Sequence, residues 1–486
     1  MANNKKAGIQ EFTGLRSVLW PIYNWELKKF LPMAFMMMCI LLNYSLLRAT
    51  KDALVVTNMG AEAIPTLKLW FVLPAAVLFM VIYSKLSNAF SKNTVFYIIV
   101  SSFMIYFALF AMILYPFHQS LSINFSNVSN EFAQKLLLPI GGWAFSSFYV
   151  MAELWGSAMV SLMFWRFAND VTSLKESKRF YAMFGFIANI ALIVSGETLK
   201  VIKGANLIAW LTVLSCFAII FIYYWLNAYV LTDPRFFNPD DIKKPKKNKE
   251  KLSLGESFKY ILGSKYLGFI VLLIVSYGIS INLVEVMWKG QAKLLYPSEA
   301  AFSGFMGGLQ TWTGIASIVF MLIGANILRR CSWFTAAMAT PFMIFLTGLI
   351  FFACIVFKDS LAIVIESFGG ITILGVITWV GLLQNVLSKG TKYSLFDPTK
   401  EMSYIPLDDE LKSKGKAAVD VIGGRAGKSG GAAIQFLLLN VIFVGSSLVQ
   451  LAPVIALVFV LILLIWFFAV SGLNKEFLKL SEKHDE

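Results

Sequence analysis

Apolar residues along this chain fall into long blocks broken by short polar stretches, not into the alternating or one-faced patterns of soluble elements. Many blocks approach the ~20 residues needed to cross ~30 Å of hydrocarbon as a helix. Twelve such blocks predict an all-α polytopic membrane protein with twelve transmembrane helices. The first six spans are Leu31–Leu47, Leu69–Leu86, Val95–Tyr115, Trp143–Trp165, Phe180–Gly196 and Leu207–Val230. The second six are Leu267–Trp288, Gly304–Leu328, Trp333–Phe357, Leu361–Leu387, Val421–Leu448 and Ala452–Val470. The chain thus divides into an N-terminal segment (1–30), a six-helix bundle (31–230), a basic linker (231–266), a second six-helix bundle (267–470) and a tail (471–486). Many secondary transporters are built from two such halves, with the substrate site between them.

Composition agrees, with 58% hydrophobic and 14% charged residues, against about 25% charged in a soluble domain. The formal net charge of +14 could suggest nucleic acid, but its distribution points elsewhere. Lysines and arginines crowd the N-terminal tail, every second loop and the C-terminal tail, and are sparse in the alternate loops. The positive-inside rule then predicts cytoplasmic termini and a cytoplasmic central linker. The run from Lys243 to Lys251 reads as a solvated connector between bundles, so no nucleic-acid partner is expected. The first thirty residues lack the pattern of a cleavable signal peptide. Cys39, Cys216, Cys331 and Cys354 each stand alone in a different apolar block, which argues against a disulfide framework or a zinc site. The two histidines, His118 and His484, are far apart, so neither a metal nor another cofactor is expected.

Charge inside a span is the most informative feature, because an ionised group at mid-bilayer costs about 2.5–3.5 kcal/mol even on the lenient insertion scale. Glu153 sits at the centre of the fourth span, with Tyr149 one turn earlier on the same face. At the end of the first span, Arg48 and Asp52 are spaced to pair along one helix face, leaving Lys51 on another. The seventh span carries Asn282, Glu285 and Lys289 as one polar stripe. In both of these spans an Asn (Asn43, Asn282) precedes a Lys by about two turns, a hint of internal repetition. In the eleventh span, Gly423, Gly427 and Gly431 recur every fourth residue and form a ridge that lets another helix approach closely. That ridge can carry Arg425 and Lys428 into the bundle interior. The spacing is wrong for a phosphate-binding P-loop, since three residues and not four separate Gly423 from Gly427, and no strand precedes it.

These same stretches resemble the nucleotide transporter family, the ATP/ADP translocases of obligate intracellular bacteria and plastids. The resemblance lies in LLRATKDALVVTNMGAEAIPTLKLW, FYVMAELWGSAMVSLMFWRFANDVTSLKESKRFYAMFG, VLTDPRF, YGISINLVEVMWK and LSKGTKYSLFDPTKEMSYIPLDDELKSKGKAAVDVIGGRAGKSGGAAIQ, in order along nearly the whole chain. It implies an architecture similar to the major facilitator transporters and exchange of ATP for ADP by alternating access, importing host ATP across a bacterial inner membrane. The family's charged transport residues fall on Lys51, Glu153, Glu285 and Lys428. Lys51, Lys428 and Arg48 are the expected phosphate ligands, and Glu153 and Glu285 are expected to neutralise them in the empty site. Tyr149 and Trp288 are candidates to stack on adenine. Inorganic phosphate is a candidate companion of ADP, the lipid bilayer is the expected surrounding, and no oligomer is implied. Ala49 departs from the pattern, since many relatives carry an acidic residue there. An alternative within the class is a broader nucleotide importer coupled to protons. A membrane-embedded phosphate-processing enzyme is disfavoured, because no paired carboxylates, histidine cluster or nucleophile arrangement is visible. A channel is disfavoured by the lack of a pore-loop pattern.

Overall fold

Within hydrocarbon, every backbone donor and acceptor must be met inside the chain, and the helix does so locally. The computed structural model describes residues 16, 20–125, 127–237, 263–367, 369–407 and 416–485, whose regular structure is helical. Among the described residues, eleven helices are long and apolar enough to cross a membrane. They are α1 (Asn24–Met59), α2 (Ala63–Ala89), α3 (Lys92–Leu114), α4 (Trp143–Val171), α5 (Arg179–Val201), α6 (Ala205–Val230), α7 (Lys265–Leu295), α8 (Glu299–Arg330), α9 (Trp333–Val356), α10 (Ile373–Met402) and, after one further helix, α12 (Ala452–Leu480). Between the last two lies α11 (Lys416–Leu437), continued by a π-helical turn, Leu438–Ile442. Only its second part, Ser429–Ile442, is apolar on average, and it is shorter than a full span.

Several starts are fixed by short polar side chains capping a backbone N–H. Ser91, Ser264, Ser298, Ser332 and Thr372 each accept from the amide three residues on, opening α3, α7, α8, α9 and α10. The tenth predicted span is corrected by this chemistry. It does not run from Leu361. A short helix, Lys358–Glu366, ends before Gly369 and Gly370, whose φ values of 72° and 75° only glycine adopts readily. Helix α10 restarts at the Thr372 cap and continues past Leu387 to Met402. The eleventh predicted span likewise begins earlier than Val421 and ends before Leu448, at a turn where Gly445 has φ 88°.

The buried apolar side chains form two clusters. One is drawn wholly from residues 22–230, with Phe30, Phe107, Phe148 and Trp155 at 0% exposure. The other is drawn mainly from residues 266–473, joined by Leu46, Ala49 and Ala53 of α1. Large apolar side chains such as Phe221, Leu322 and Phe468 remain exposed on the outer surface, where a bilayer rather than water suits them.

Two close helix contacts shape the interior. Helix α7 packs on α11, and a Cβ added to Gly278 would sit 2.6 Å from the backbone of Gly427. The Gly423–Gly427–Gly431 ridge lies against Ile274, Gly278 and Asn282 in turn, so the expected close approach is made by α7. The second contact joins the sequence halves: α5 packs antiparallel on α8, with Gly196 against Gly307 and Gly314 against Asn189.

Contacts between the halves gather on the face opposite the chain ends. There the Tyr115 hydroxyl donates to Glu299 at 3.2 Å, the Ala205 amide donates to the same carboxylate at 3.1 Å, and Thr311 donates to Glu197 at 2.8 Å.

Candidate functional site

The sequence brings three charges into the second half of α1 within five residues, Arg48, Lys51 and Asp52, and the fold sets charged side chains of α4 and α7 against them. Lys51 lies 2.8 Å from Asp52 and 3.1 Å from Glu153 of α4. Its ammonium also sits 3.8 Å from the centroid of the Tyr149 ring, one turn before Glu153, where the ring face adds a cation–π attraction. Asp52 reaches across to α7, where Lys289 is 2.7 Å away. Lys289 is 3.2 Å from Glu285 one turn earlier on its own helix, and Glu285 is 3.4 Å from Arg48. The chain Glu153–Lys51–Asp52–Lys289–Glu285–Arg48 is therefore one continuous ionic network spanning both halves of the sequence.

Its members are unevenly wet. Lys51, Asp52 and Lys289 are buried, while the side chains of Arg48 and Glu153 keep 33% and 27% of their exposure. Solvent thus reaches the network at Glu153 and at Arg48, the latter on its chain-end side along α1. Buried charges are tolerated when each has a partner, and removing one partner from such a pair costs about 3–5 kcal/mol. Local backbone supports the placement. Of six described π-helical stretches, three, Leu67–Val72, Gly156–Phe164 and Lys392–Phe396, hold or lie within a few residues of Lys68, Glu153 and Lys389, and such widened turns recur at functional sites.

The expected pairing of Arg48 with Asp52 is not made. Asp52 is taken by Lys51 beside it and by Lys289, and Arg48 turns to Glu285 on the other half. The polar stripe on α7 holds together, and Asn282 extends it by accepting a 2.5 Å hydrogen bond from Lys68 of α2. Tyr149 and Trp288 are both fully buried. The Trp288 indole donates to the Thr378 carbonyl, and the Tyr149 ring lies under Lys51. Helix α11 includes positions 425 and 428, but the side chains of Arg425 and Lys428 lie outside the described residues.

Two cations were missed by sequence reasoning. Lys68, in the opening turns of α2, counted as a loop residue ahead of the second span. Lys389 counted as a loop residue because the tenth span was ended at Leu387. With α10 shifted, Lys389 lies inside it at 9% exposure. A signal existed in the glycine pair at 369–370, which breaks the apolar block too late for a span starting at Leu361 to be one helix.

A separate cavity of about 710 Å³ opens on the opposite face, lined among others by Asn58, His118, Gln134 and Phe145. It includes no member of the ionic network.

A family model described as TLC ATP/ADP transporter matches residues 5–477 of this chain. The chain is 48% identical over 495 residues to ADP,ATP carrier protein 1 of Rickettsia prowazekii, covering 97% of this chain and 98% of that relative. It is 46% identical over 504 residues to ADP,ATP carrier protein 1 of Chlamydia muridarum, covering 98% and 93%. Among solved structures, it is similar to a bacterial homologue of the iron transporter ferroportin in an inward-facing state, with TM-score 0.60 and 14% identity, covering 93% of this chain and 98% of that one. It is also similar to a D-xylose-proton symporter, with TM-score 0.53 and 12% identity over 93% and 97% of the two chains. These structural likenesses concern the fold alone.

Proposed function

Because this chain belongs to the TLC ATP/ADP transporter family, whose members are carriers and not enzymes, we propose that it exchanges ATP for ADP across a membrane by alternating access, importing ATP. Twelve crossing helices in two six-helix bundles, 31–230 and 267–470, would rock about the site between them, with α11 as the eleventh span and 231–266 as a cytoplasmic linker. The distribution of lysine and arginine supports cytoplasmic termini in a bacterial inner membrane. The family relatives named above come from intracellular bacteria, which fits uptake of host ATP.

The observation that carries the reading is the ionic network joining the two halves. Five cations, Arg48, Lys51, Lys68, Lys289 and Lys389, face three carboxylates, Asp52, Glu153 and Glu285. A surplus of positive charge at the middle of a membrane is costly when empty and is relieved by a polyanion. Phosphate oxygens make strong charge-assisted hydrogen bonds to such groups. Arg425 and Lys428 are further candidates for phosphate contact, from their place in the family motif. Glu153 and Glu285 neutralise the cations until the nucleotide arrives.

The test is uptake of labelled ATP into intact cells expressing the protein, with and without ADP inside. Saturable uptake that requires internal ADP is expected. Uptake indifferent to internal ADP, but abolished when the proton gradient is collapsed, would establish a proton-coupled importer instead.

A further inference from the structure

Lys389 is the one network cation with no hydrogen-bonded or ion-paired partner among the described residues. Its place on α10 follows from its neighbours. Gly381 packs against the Trp288 ring, and lower on α10 Lys392 lies 5.8 Å from the Tyr277 ring centroid while Phe396 stacks on that ring at 5.1 Å. Lys389 therefore lies along α7 between the levels of Trp288 and Tyr277, where Glu285 projects. Glu285 cannot neutralise it alone, since that carboxylate is already shared by Lys289 at 3.2 Å and Arg48 at 3.4 Å. Asp52 is likewise shared, by Lys51 and Lys289. Arg48 belongs to the first half of the chain and Lys389 to the second, and Arg48 is, with Glu153, one of the two places where solvent meets the network.

We propose that Arg48 and Lys389 form a cross-half electrostatic gate, two like charges that hold the chain-end side of the site open until a nucleotide's phosphates bridge them. The inference rests on the ATP/ADP reading and adds a reason for strict exchange. Closing the chain-end side brings α1 and α10 together. In the empty protein that movement drives two cations toward each other in a site where water screens poorly. With a di- or triphosphate between them, the same movement tightens two charge-assisted contacts. A ligand shifts a conformational equilibrium only by its differential affinity for the two states, and here the sign of the gate's energy reverses on binding. The loaded carrier can turn over, and the empty one stays open.

Lys392, one turn on, does not serve in this way. It lies 2.8 Å from Asp397, so its charge is already met within α10.

The experiment uses purified full-length protein in liposomes loaded with labelled ADP. The parent should release label only when nucleotide is present outside. Lys389→Gln should release label into nucleotide-free buffer on the order of tenfold faster than the parent, the rate change produced by about 1.4 kcal/mol off a barrier. Lys389→Arg keeps the charge and should keep strict exchange. A Lys389→Gln protein that exchanges nucleotides yet leaks no faster than the parent overturns the gate.

If Lys389→Gln does not transport, distances between spin labels decide. One label goes on the exposed native Cys331, after the end of α8, and the other on Asp170→Cys, at the end of α4. In the absence of nucleotide, Lys389→Gln should gain a shorter-distance population that the parent lacks, and an unchanged distribution overturns the gate. The two readings fail separately. A parent that exchanges no nucleotide sinks the substrate assignment, while the distance comparison needs no nucleotide and still reads the repulsion.

Discussion

Lys289 and Asp52, from opposite halves of the chain, lie 2.7 Å apart with both side chains almost wholly withdrawn from solvent. Their contact is the shorter of the two described ion pairs that cross between the halves, the other being Arg48–Glu285. Each partner has a second neighbour, Glu285 for the lysine and Lys51 for the aspartate. A single neutralisation therefore leaves a charge surplus on one side of the network.

From that relationship, Lys289→Gln or Asp52→Asn alone should destabilise the purified protein by about 3–5 kcal/mol, the usual cost of stranding one member of a buried pair. The double substitution should cost clearly less than the sum of the two. Thermal unfolding in detergent for all four members of the cycle checks this. Additive losses would mean that the two residues act independently.

Glu153 is one of the two partly exposed ends of the network, and its loss leaves Lys51 still paired to Asp52. Glu153→Gln should therefore fold and reach the membrane in near-normal amounts. ATP uptake should fall by roughly tenfold or more, equivalent to about 1.4 kcal/mol of lost transition-state stabilisation. Uptake per molecule equal to the parent's would reduce Glu153 to a structural counter-ion.

Much of this is legible in the sequence, and the misses have identifiable causes. Helix positions follow from apolar block length, Glu153 and Glu285 stand out because charge inside such blocks is rare, and Lys51 and Lys289 stand out as cations just past a span's end, in line with polar residues within it. The glycine ridge on α11 predicted a close helix approach without saying that α7 makes it. Pairing was less legible, because spacing along one helix favours Arg48 with Asp52 and cannot weigh a lysine arriving from another helix. Lys389 was lost to a boundary error, since starting the tenth span at Leu361 rather than Ile373 moved the lysine out of the membrane. Lys68 was lost because α2 begins at Ala63, ahead of the apolar block at Leu69 from which the span is read.

The α7–α11 contact offers a steric test. A methyl group at Gly278 would meet the backbone of Gly427 at 2.6 Å, whereas one at Gly424 would meet nothing within 4 Å. Gly278→Ala should lower stability by about 1–3 kcal/mol, the typical cost of overpacking. Gly424→Ala should be tolerated, or slightly stabilising for the helix. Unfolding midpoints of the two variants, compared with the parent, decide the matter; equal midpoints would mean that the helices part easily.

Phosphate coupling is the remaining prediction. ATP carries about one more negative charge than ADP, and moving that charge inward against an inside-negative potential costs about 2.3 kcal/mol for each 100 mV. A site with surplus cations can hold inorganic phosphate beside the shorter ADP, so that exporting both cancels most of the imbalance. In liposomes holding ADP and labelled phosphate, label should leave only when ATP is outside, and an imposed voltage should barely alter the rate. Full-rate ATP entry without phosphate efflux, steeply dependent on voltage, would make the exchange plain and electrogenic.

The seam between α5 and α8 bears on how two such halves could move at all. Where Gly196 meets Gly307 and Gly314 meets Asn189, backbone lies on backbone with little between. Helices joined by interlocking side chains must lift each knob out of its hole before they can turn. A glycine-lined seam has few knobs to lift, so it acts as a smooth bearing, keeping its contact area through a change of angle. Rocking of the proposed kind would find its fulcrum there, with the ionic network supplying the lock and the glycines the low friction.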